Sequence, residues 1–224
     1  MKFDFHIHSI YSKDSILKPE RIVKIAKKEG FSGVAITDHD TIRGALKTKS
    51  IVQDNLEVII GSEVKTDKGE IIGLFLNEEI KSRNFLEVIE EIRDQDGISV
   101  LPHPYRNRLF ESKDILGMID LVEGLNGRTS KELNYRAQEL AKNHRLPMIA
   151  GSDAHTPFEI GRVMNILQEN DDIKKCILKG NVTLNGKELP HHLRIFSSAI
   201  GRYKRDGIAG LAASFINRIS NKKR

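Results

Sequence analysis

The sequence predicts an α/β fold: a small closed β/α barrel of seven strands, followed by a basic, amphipathic helical tail. Short apolar β-rich runs alternate with helical patterns over about 190 of the 224 residues. These runs lack the strict polar alternation of a one-sided sheet, as parallel strands covered on both faces do. Polar residues collect where the runs end, which is where β/α barrels keep their chemistry.

The first run is KFDFHIH at 2–8. A helix follows, with Pro19 in its first turn, Ile22, Ala26 and Glu29 behind it, and Gly30 as its stop. GVAIT at 33–37, LEVII at 56–60 and IIGLFL at 71–76 are the next three strands. Residues 84–96 set Phe85, Ile89 and Ile92 on one helical stripe, with Gly97 behind them. ISVL at 98–101 and DLVEGL at 120–125 are the fifth and sixth strands. A helix over 130–144 aligns Leu133, Ala137 and Leu140, and PMIA at 147–150 is the seventh strand. No internal repeat or low-complexity tract interrupts the series, so the barrel is expected over 1–190 and the tail over 191–224.

Composition narrows the function classes. One cysteine, Cys176, excludes a disulfide framework and fits a reducing compartment. The start, MKFDF, has no apolar stretch of the kind a leader needs, and no run approaches the ~20 apolar residues of a membrane span. The expectation is a soluble cytoplasmic protein without an integral membrane segment or an obligate protein partner. Residues 191–224 carry eight Lys/Arg against Asp206 alone, and the first 190 hold 28 basic and 30 acidic side chains. The basic character therefore belongs to the tail. There Ile208, Leu211, Ala212, Phe215 and Ile219 form an apolar stripe, with Arg202, Lys204, Arg205, Arg218, Lys222, Lys223 and Arg224 mostly outside it. Such a helix either docks on the barrel, or also gathers anionic substrate such as RNA or touches an acidic membrane surface.

The candidate site is read from the strand ends. His6 and His8 are two apart on the first strand, so their imidazoles share a face, and Asp14 lies six further on. The second strand ends in Asp38, His39 and Asp40, the third in Glu63, the fifth in His103, and the seventh in Asp153 and His155. Taken singly, a buried histidine is a satisfied core residue, and Asp38 or Asp40 is a helix N-cap. Taken together, five of the eight histidines fall at strand ends, and His144, His191 and His192 are left as structural or surface residues. Imidazole and carboxylate donors without thiolate suit Zn²⁺, Mn²⁺ or Fe²⁺. The donors exceed what one ion takes, so two or three divalent ions are expected, with a carboxylate such as Glu63 bridging a pair. Clustered ions of this kind hold a hydroxide nucleophile and neutralise attacking and leaving oxygens in phosphoryl transfer. No serine or cysteine stands at a strand end with its own base; Ser9 and Ser152 neighbour the site as hydrogen-bonding support, and Cys176 belongs to an outer helix.

HIH at 6–8, SKD ending at Asp14, TDHD at 37–40, GSE at 61–63, HP at 103–104 and GSDAH at 151–155 resemble, in order, the PHP (polymerase and histidinol phosphatase) family. The resemblance implies a distorted seven-stranded barrel and a trinuclear centre that hydrolyses phosphate esters. It implies that His6, His8, Glu63 and Asp153 hold one ion, Glu63 and His103 a second, and Asp14, His39 and His155 a third. Glu63, Asp153, His39 and His155 are then the candidate catalytic residues. Many members supply a further histidine from the sixth strand end, where this chain reads LVEGLNGRT, with Asn126 or Arg128 near that place. The implied second ion has fewer protein ligands, and water or phosphate completes it. Arg106, Arg108 and Arg128 stand beside the ligand loops, and a guanidinium there grips phosphate bidentately. Arg106 and Arg128 are the candidate substrate-binding residues. The spacing, with no large insertion between Glu63 and His103, looks most like the branch acting on nucleotides and short RNA 5′ ends. A histidinol-phosphate or other small-metabolite phosphatase is the alternative, and a metal-binding PHP module without turnover the second.

Overall fold

A computed structural model gives the fold, describing residues 1–52, 55–106, 113–168 and 172–221, without the side chains of 113, 114 and 209 onward. The strands are β1 (Lys2–Ile7), β2 (Gly33–Ile36), β3 (Glu57–Thr66), β4 (Gly69–Leu74), β5 (Ile98–Leu101), β6 (Leu121–Asn126), β7 (Met148–Gly151), β8 (Val163–Ile166) and β9 (Thr183–Gly186). The helices are α1 (Pro19–Lys28), α2 (Arg43–Ile51), α3 (Phe85–Asp94), α4 (Lys113–Leu116), α5 (Lys131–His144), α6 (Ile173–Leu178) and α7 (His191–Asn221). They form one sheet in the order β7-β6-β5-β4-β3-β2-β1-β8-β9.

Two expectations are corrected here. The strands number nine among the described residues rather than seven, because β8 and β9 follow the last barrel strand. β8 (VMNI) is a short run broken by the polar Asn165, and β9 (TLNG) is largely exposed. Nor is the sheet wholly parallel: β4 runs antiparallel to both β3 and β5, and β8 antiparallel to β1. The turn from Thr66 to Gly69 leaves no room for a crossover helix, so the chain must double back.

The ends of the sheet nearly meet. Ile7 bridges Ala154 in parallel register, Asp153 N–H donates to His6 O at 2.7 Å, and His8 N–H donates to Ala154 O at 2.9 Å. Lower down, β8 separates β1 from β7, and the buried Asn165 side chain spans the gap. Its Nδ2 donates to Phe3 O at 3.1 Å and to Ala150 O at 2.7 Å, while Ala150 N–H donates to its Oδ1 at 2.7 Å. A backbone rung is thus replaced by an amide side chain. Phe3, Phe5, Ala35, Ile59, Ile72, Val100 and Ile149 pack into one apolar cluster, Phe3 stacking on Phe5 at 5.6 Å.

The helices form as their signals dictate. Pro19 opens α1, and Ile22 and Ala26 are fully buried against β1 and β2. Asn84 Oδ1 caps α3 by accepting from Leu86 and Glu87 N–H, and Ser130 Oγ caps α5 by accepting from Leu133 N–H. Cys176 is buried on α6, as its outer-helix assignment anticipates. Asp38 and Asp40 cap no helix; α2 is capped from outside by Glu79, which accepts from Thr41 Oγ1 and Ile42 N–H at 2.8 and 2.9 Å. The tail helix starts at His191, well before the stripe expected from Ile208, and is kinked at Gly207 (φ 66°). Ile208 is exposed; the rest of that stripe, and Lys222 to Arg224, lie outside the described side chains. Among the described residues no helix is long and apolar enough to cross a membrane.

Candidate metal centre

The strand ends converge as the sequence suggested, with one difference. Glu63 does not end β3 but sits inside it, its backbone tied to the chain after β2 by Glu63 N–H to Asp38 O and Asp40 N–H to Glu63 O. All eight predicted metal-binding residues surround one point. His6 Nε2 and His8 Nε2 are 2.9 Å apart. Glu63 Oε2 lies 3.2 Å from His8 Nε2, 3.3 Å from His39 Nδ1 and 3.5 Å from His6 Nε2, and Glu63 Oε1 is 2.9 Å from His103 Nε2. Asp153 Oδ1 faces His8, His155 and His6 at 3.4, 3.5 and 3.7 Å. Asp14 reaches across, its oxygens 3.4 Å from His155 Nε2 and 3.7 Å from His39 Nε2.

Three sets of donor atoms lie close enough together to share an ion: His6, Glu63 and His103; His6, His8 and Asp153; and His8, His39 and His155. The last set joins His8 to the pair expected with Asp14, because its ring lies 4.4 Å from that of His39 and 4.3 Å from that of His155. Divalent ions fit this cluster. One oxygen each of Asp14, Glu63 and Asp153 is buried without a hydrogen-bond partner, and each faces imidazole nitrogens. A buried carboxylate oxygen left bare is costly unless a cation takes it.

The residues behind these ligands were largely missed by sequence reasoning. Glu123, inside β6, takes His6 Nδ1–H on Oε1 at 2.9 Å, and His103 N–H and Asn126 Nδ2–H on Oε2 at 2.8 and 3.0 Å. On the other side Asp38 accepts from Ser9 N–H, Ser9 Oγ–H and Ser12 Oγ–H at 2.7, 2.6 and 2.7 Å. With its proton so committed, Ser12 Oγ is an acceptor for His8 Nδ1–H at 3.1 Å and His39 N–H at 3.0 Å. Both networks hold a proton on Nδ1 of the first-strand histidines, so Nε2 is the nitrogen that each turns toward the centre. The signal for Glu123 was a lone carboxylate in an apolar strand run. Space for its pairing with His6 comes from Gly151, where a Cβ would come within 2.3 Å of His6 Cβ and 2.4 Å of Glu123 Oε1. The register of β1 slips between Asp4 and Ile7, and that of β6–β7 between Glu123 and Leu125, which re-aims His6 and Glu123. His103 (φ 28°) and Asp153 (φ 54°) are held in left-handed backbone, a strain that clusters at functional sites.

Charge follows from this packing. Burial favours neutral Glu63, yet the imidazoles of His6, His103 and His8 hold it well below the usual carboxylate range. Burial likewise opposes ionised Asp153, and Arg106, His6, His8 and Arg128 outweigh it. His6 is disfavoured as a cation by burial but raised well above 6.5 by Glu123, Asp153 and Glu63. His39 is treated alike by burial and lifted to about 9 by Asp14 and Glu63. His155 goes the other way, to about 3, through burial and the neighbouring Arg128, whose Nη1 is 2.7 Å from its Nδ1.

Both candidate substrate-binding arginines are drawn to the same carboxylate. Arg106 Nη1 donates to Asp153 Oδ2, and Arg128 Nη1 lies 4.0 Å from Asp153 Oδ1 with its Nε 3.5 Å from Glu159 Oε1. Asn126, at the place of the missing histidine, donates to Asp153 Oδ2 at 3.2 Å. Arg108 lies outside the described residues. An open cavity of about 260 Å³ runs over Asp14, His39, Asp153 and His155 to Arg106 and Arg128.

The first half of α7 forms a wall of the site. Lys204 Nζ donates to Ile10 O at 3.0 Å, to Ser12 O at 2.7 Å and to Ser15 O, pinning the loop that carries Asp14. Gly201 rests on that loop, where a Cβ would stand 2.9 Å from Asp14 O.

Comparison with known proteins accords with this geometry. Protein MJ1587 of Methanocaldococcus jannaschii is 50% identical over 117 residues, 47% of this chain and 68% of that protein. A 5′-3′ exoribonuclease of Haemophilus influenzae is 36% identical over 67 residues, 30% of this chain and 24% of that enzyme. Among solved structures, a two-domain protein from Bacteroides vulgatus, containing a predicted PHP-like metal-dependent phosphoesterase, superposes with a TM-score of 0.73. It is 19% identical, over 88% of this chain and 68% of that one, and so bears on the fold. Residues 4–157, which include all eight candidate metal-binding residues, match the PHP domain, and the chain belongs to that family.

Proposed function

We propose that the chain is a metal-dependent phosphoesterase that hydrolyses phosphate esters of nucleotides or of short RNA or DNA 5′ ends. One observation carries this reading: five imidazoles converge on three buried carboxylate oxygens that have no hydrogen-bond partner. His6, His8, Glu63 and Asp153 would hold one ion, Glu63 and His103 a second, and Asp14, His39 and His155 a third, with His8 close to the last group. Bound Mn²⁺, Zn²⁺ or Fe²⁺ supplies a nucleophile at neutral pH and neutralises charge on the reacting phosphate.

The remaining work falls to the chain. Glu63, the only carboxylate among the described residues within 3.5 Å of His6, His8, His39 and His103 together, would fix the spacing of the ligand sets. His39 and His155 bound the space where a phosphate would sit, with Asp153 below it. Arg106 and Arg128 line the same cavity and would exchange part of their hold on Asp153 for the substrate phosphate, in bidentate fashion. The exoribonuclease relative supports a nucleotide or 5′-end substrate. Hydrolysis of a generic aryl phosphate with added Mn²⁺, abolished by a chelator, is the expected result. Two to three metal equivalents in the purified chain would accompany it. Under one equivalent after growth with Mn²⁺ and Zn²⁺, together with no turnover, would remove the reading.

A further inference from the structure

A second cavity adjoins the first. It measures about 580 Å³, reaches Asp14 and His155 at one end, and is walled at the other by the first half of α7. A lone phosphate needs far less room, and this volume suits a ligand of nucleotide size. The wall carries four guanidinium groups, of Arg128, Arg194, Arg202 and Arg205, against the single carboxylate of Asp14.

These four are not equivalent. Arg128 is engaged by Glu159 and Asp153, and Arg205 pairs with Asp206 at 3.0 Å. Arg194 and Arg202 are different: both are half-buried, and the buried Nε of each has no hydrogen-bond partner. Arg194 makes one long contact, Nη1 to Arg128 O at 3.5 Å. Eight residues apart, they stand about 12 Å from each other along one face of the helix. Ser198 and Gly201 lie between them on that face, as the spacing 194, 198, 201, 202 requires, and all line the cavity. A buried guanidinium edge without an acceptor is a costly arrangement that an anion relieves.

We propose that Arg194 and Arg202 form a second anion subsite, so that the substrate carries a phosphate group beyond the one hydrolysed. The inference rests on the phosphoesterase reading and narrows it: the preferred substrate has two phosphates, one at the metal centre and one against α7. The second phosphate comes either from a small bisphosphorylated molecule or from the next internucleotide linkage of an oligonucleotide. Both present the same chemistry to the two guanidinium groups.

The test compares matched pairs with Mn²⁺ present. One pair is a nucleoside 5′-monophosphate and a 5′-phosphorylated dinucleotide; the other is a hexose monophosphate and the corresponding bisphosphate. The two-phosphate member of at least one pair should show the lower KM in the natural chain. Arg202→Gln should raise that KM about tenfold relative to its one-phosphate partner, as loss of a charge-assisted bond does, with Arg202→Lys recovering part. An advantage confined to the dinucleotide pair, or to the hexose pair, names the source of the phosphate. The subsite is overturned if the KM ratio within both pairs moves by less than twofold in Arg194→Gln, Arg202→Gln and the double variant. Should the natural chain hydrolyse none of these, the phosphoesterase reading fails first. The subsite is then judged by titrating metal-free protein with pyrophosphate. Binding that weakens about tenfold in Arg202→Gln supports it; equal binding in the two proteins, or none, overturns it.

Discussion

Glu63 is a buried carboxylate at the centre and Asp14 a half-buried one, and they are wired differently. Glu63 faces four imidazoles with its two oxygens, and Asp14 faces two. Glu63→Gln should therefore cost more bound metal and more activity than Asp14→Asn; elemental analysis of both variants beside the parent decides it, and equal losses would contradict a bridging Glu63. The protonation states give a second expectation. In the ion-free chain His6 and His39 are cationic at pH 7, the latter up to about 9, while His155 is already neutral. A raised pKa means that protons are held at neutral pH and must leave before these nitrogens ligate. Metal binding should release about two protons per chain at pH 7, and affinity should climb as pH rises toward 9. Calorimetry in buffers of different ionisation enthalpy measures that number, and a value near zero would show that these imidazoles stay outside the ion's reach. The clustering of these residues was legible in the sequence because histidines and acids recur at strand ends. Their supports were not: Glu123 and Asp38 act through Nδ1 atoms and serine hydroxyls brought together only by folding.

Individual elements show where sequence patterning succeeds and fails. Strands β1, β2, β5, β6 and β7, and helices α1, α3 and α5, follow from apolar periodicity and their caps. β8 escaped because Asn165 breaks its short apolar run, and β9 because TLNG is mostly polar and exposed. The reversal at β4 escaped because periodicity reports burial, not direction. α7 is the instructive case. Its basic residues read as a solvated or RNA-gathering face, yet Lys204 spends its charge on three carbonyls of the loop bearing Asp14. Lys204→Met should leave the circular dichroism spectrum intact and weaken retention of one metal equivalent about tenfold, as loss of an outer support of a ligand does. If competitive chelation releases all equivalents at the parental rate, the helix contributes nothing to the centre.

For the whole molecule, closure of the sheet depends on a side chain. Asn165 makes three hydrogen bonds, of 2.7, 2.7 and 3.1 Å, where β8 keeps β1 and β7 apart. Asn165→Ala strands three buried backbone groups, at about 3 kcal/mol in all, and should lower the melting temperature by roughly 6–12 °C in a chain of this size. A shift under 2 °C would mean that the barrel closes without it. A barrel-like β/α fold was readable from the alternation of elements along the chain, and the sheet is nearly closed; how its ends are joined was not readable, since a single asparagine in a short strand has no signature.

The placing of α7 also orders events during synthesis. Every clustered ligand, from His6 to His155, leaves the ribosome before Lys204, which follows His155 by 49 residues. At the usual pace of elongation that interval is roughly 2 to 10 s. A nascent barrel thus presents its donor atoms on an unroofed face, where hydrated ions have free passage, before the arginine-bearing wall arrives. If the centre and the α7 subsite act as proposed, metal loading should precede selection of the organic ligand, an order set by the position of the last helix.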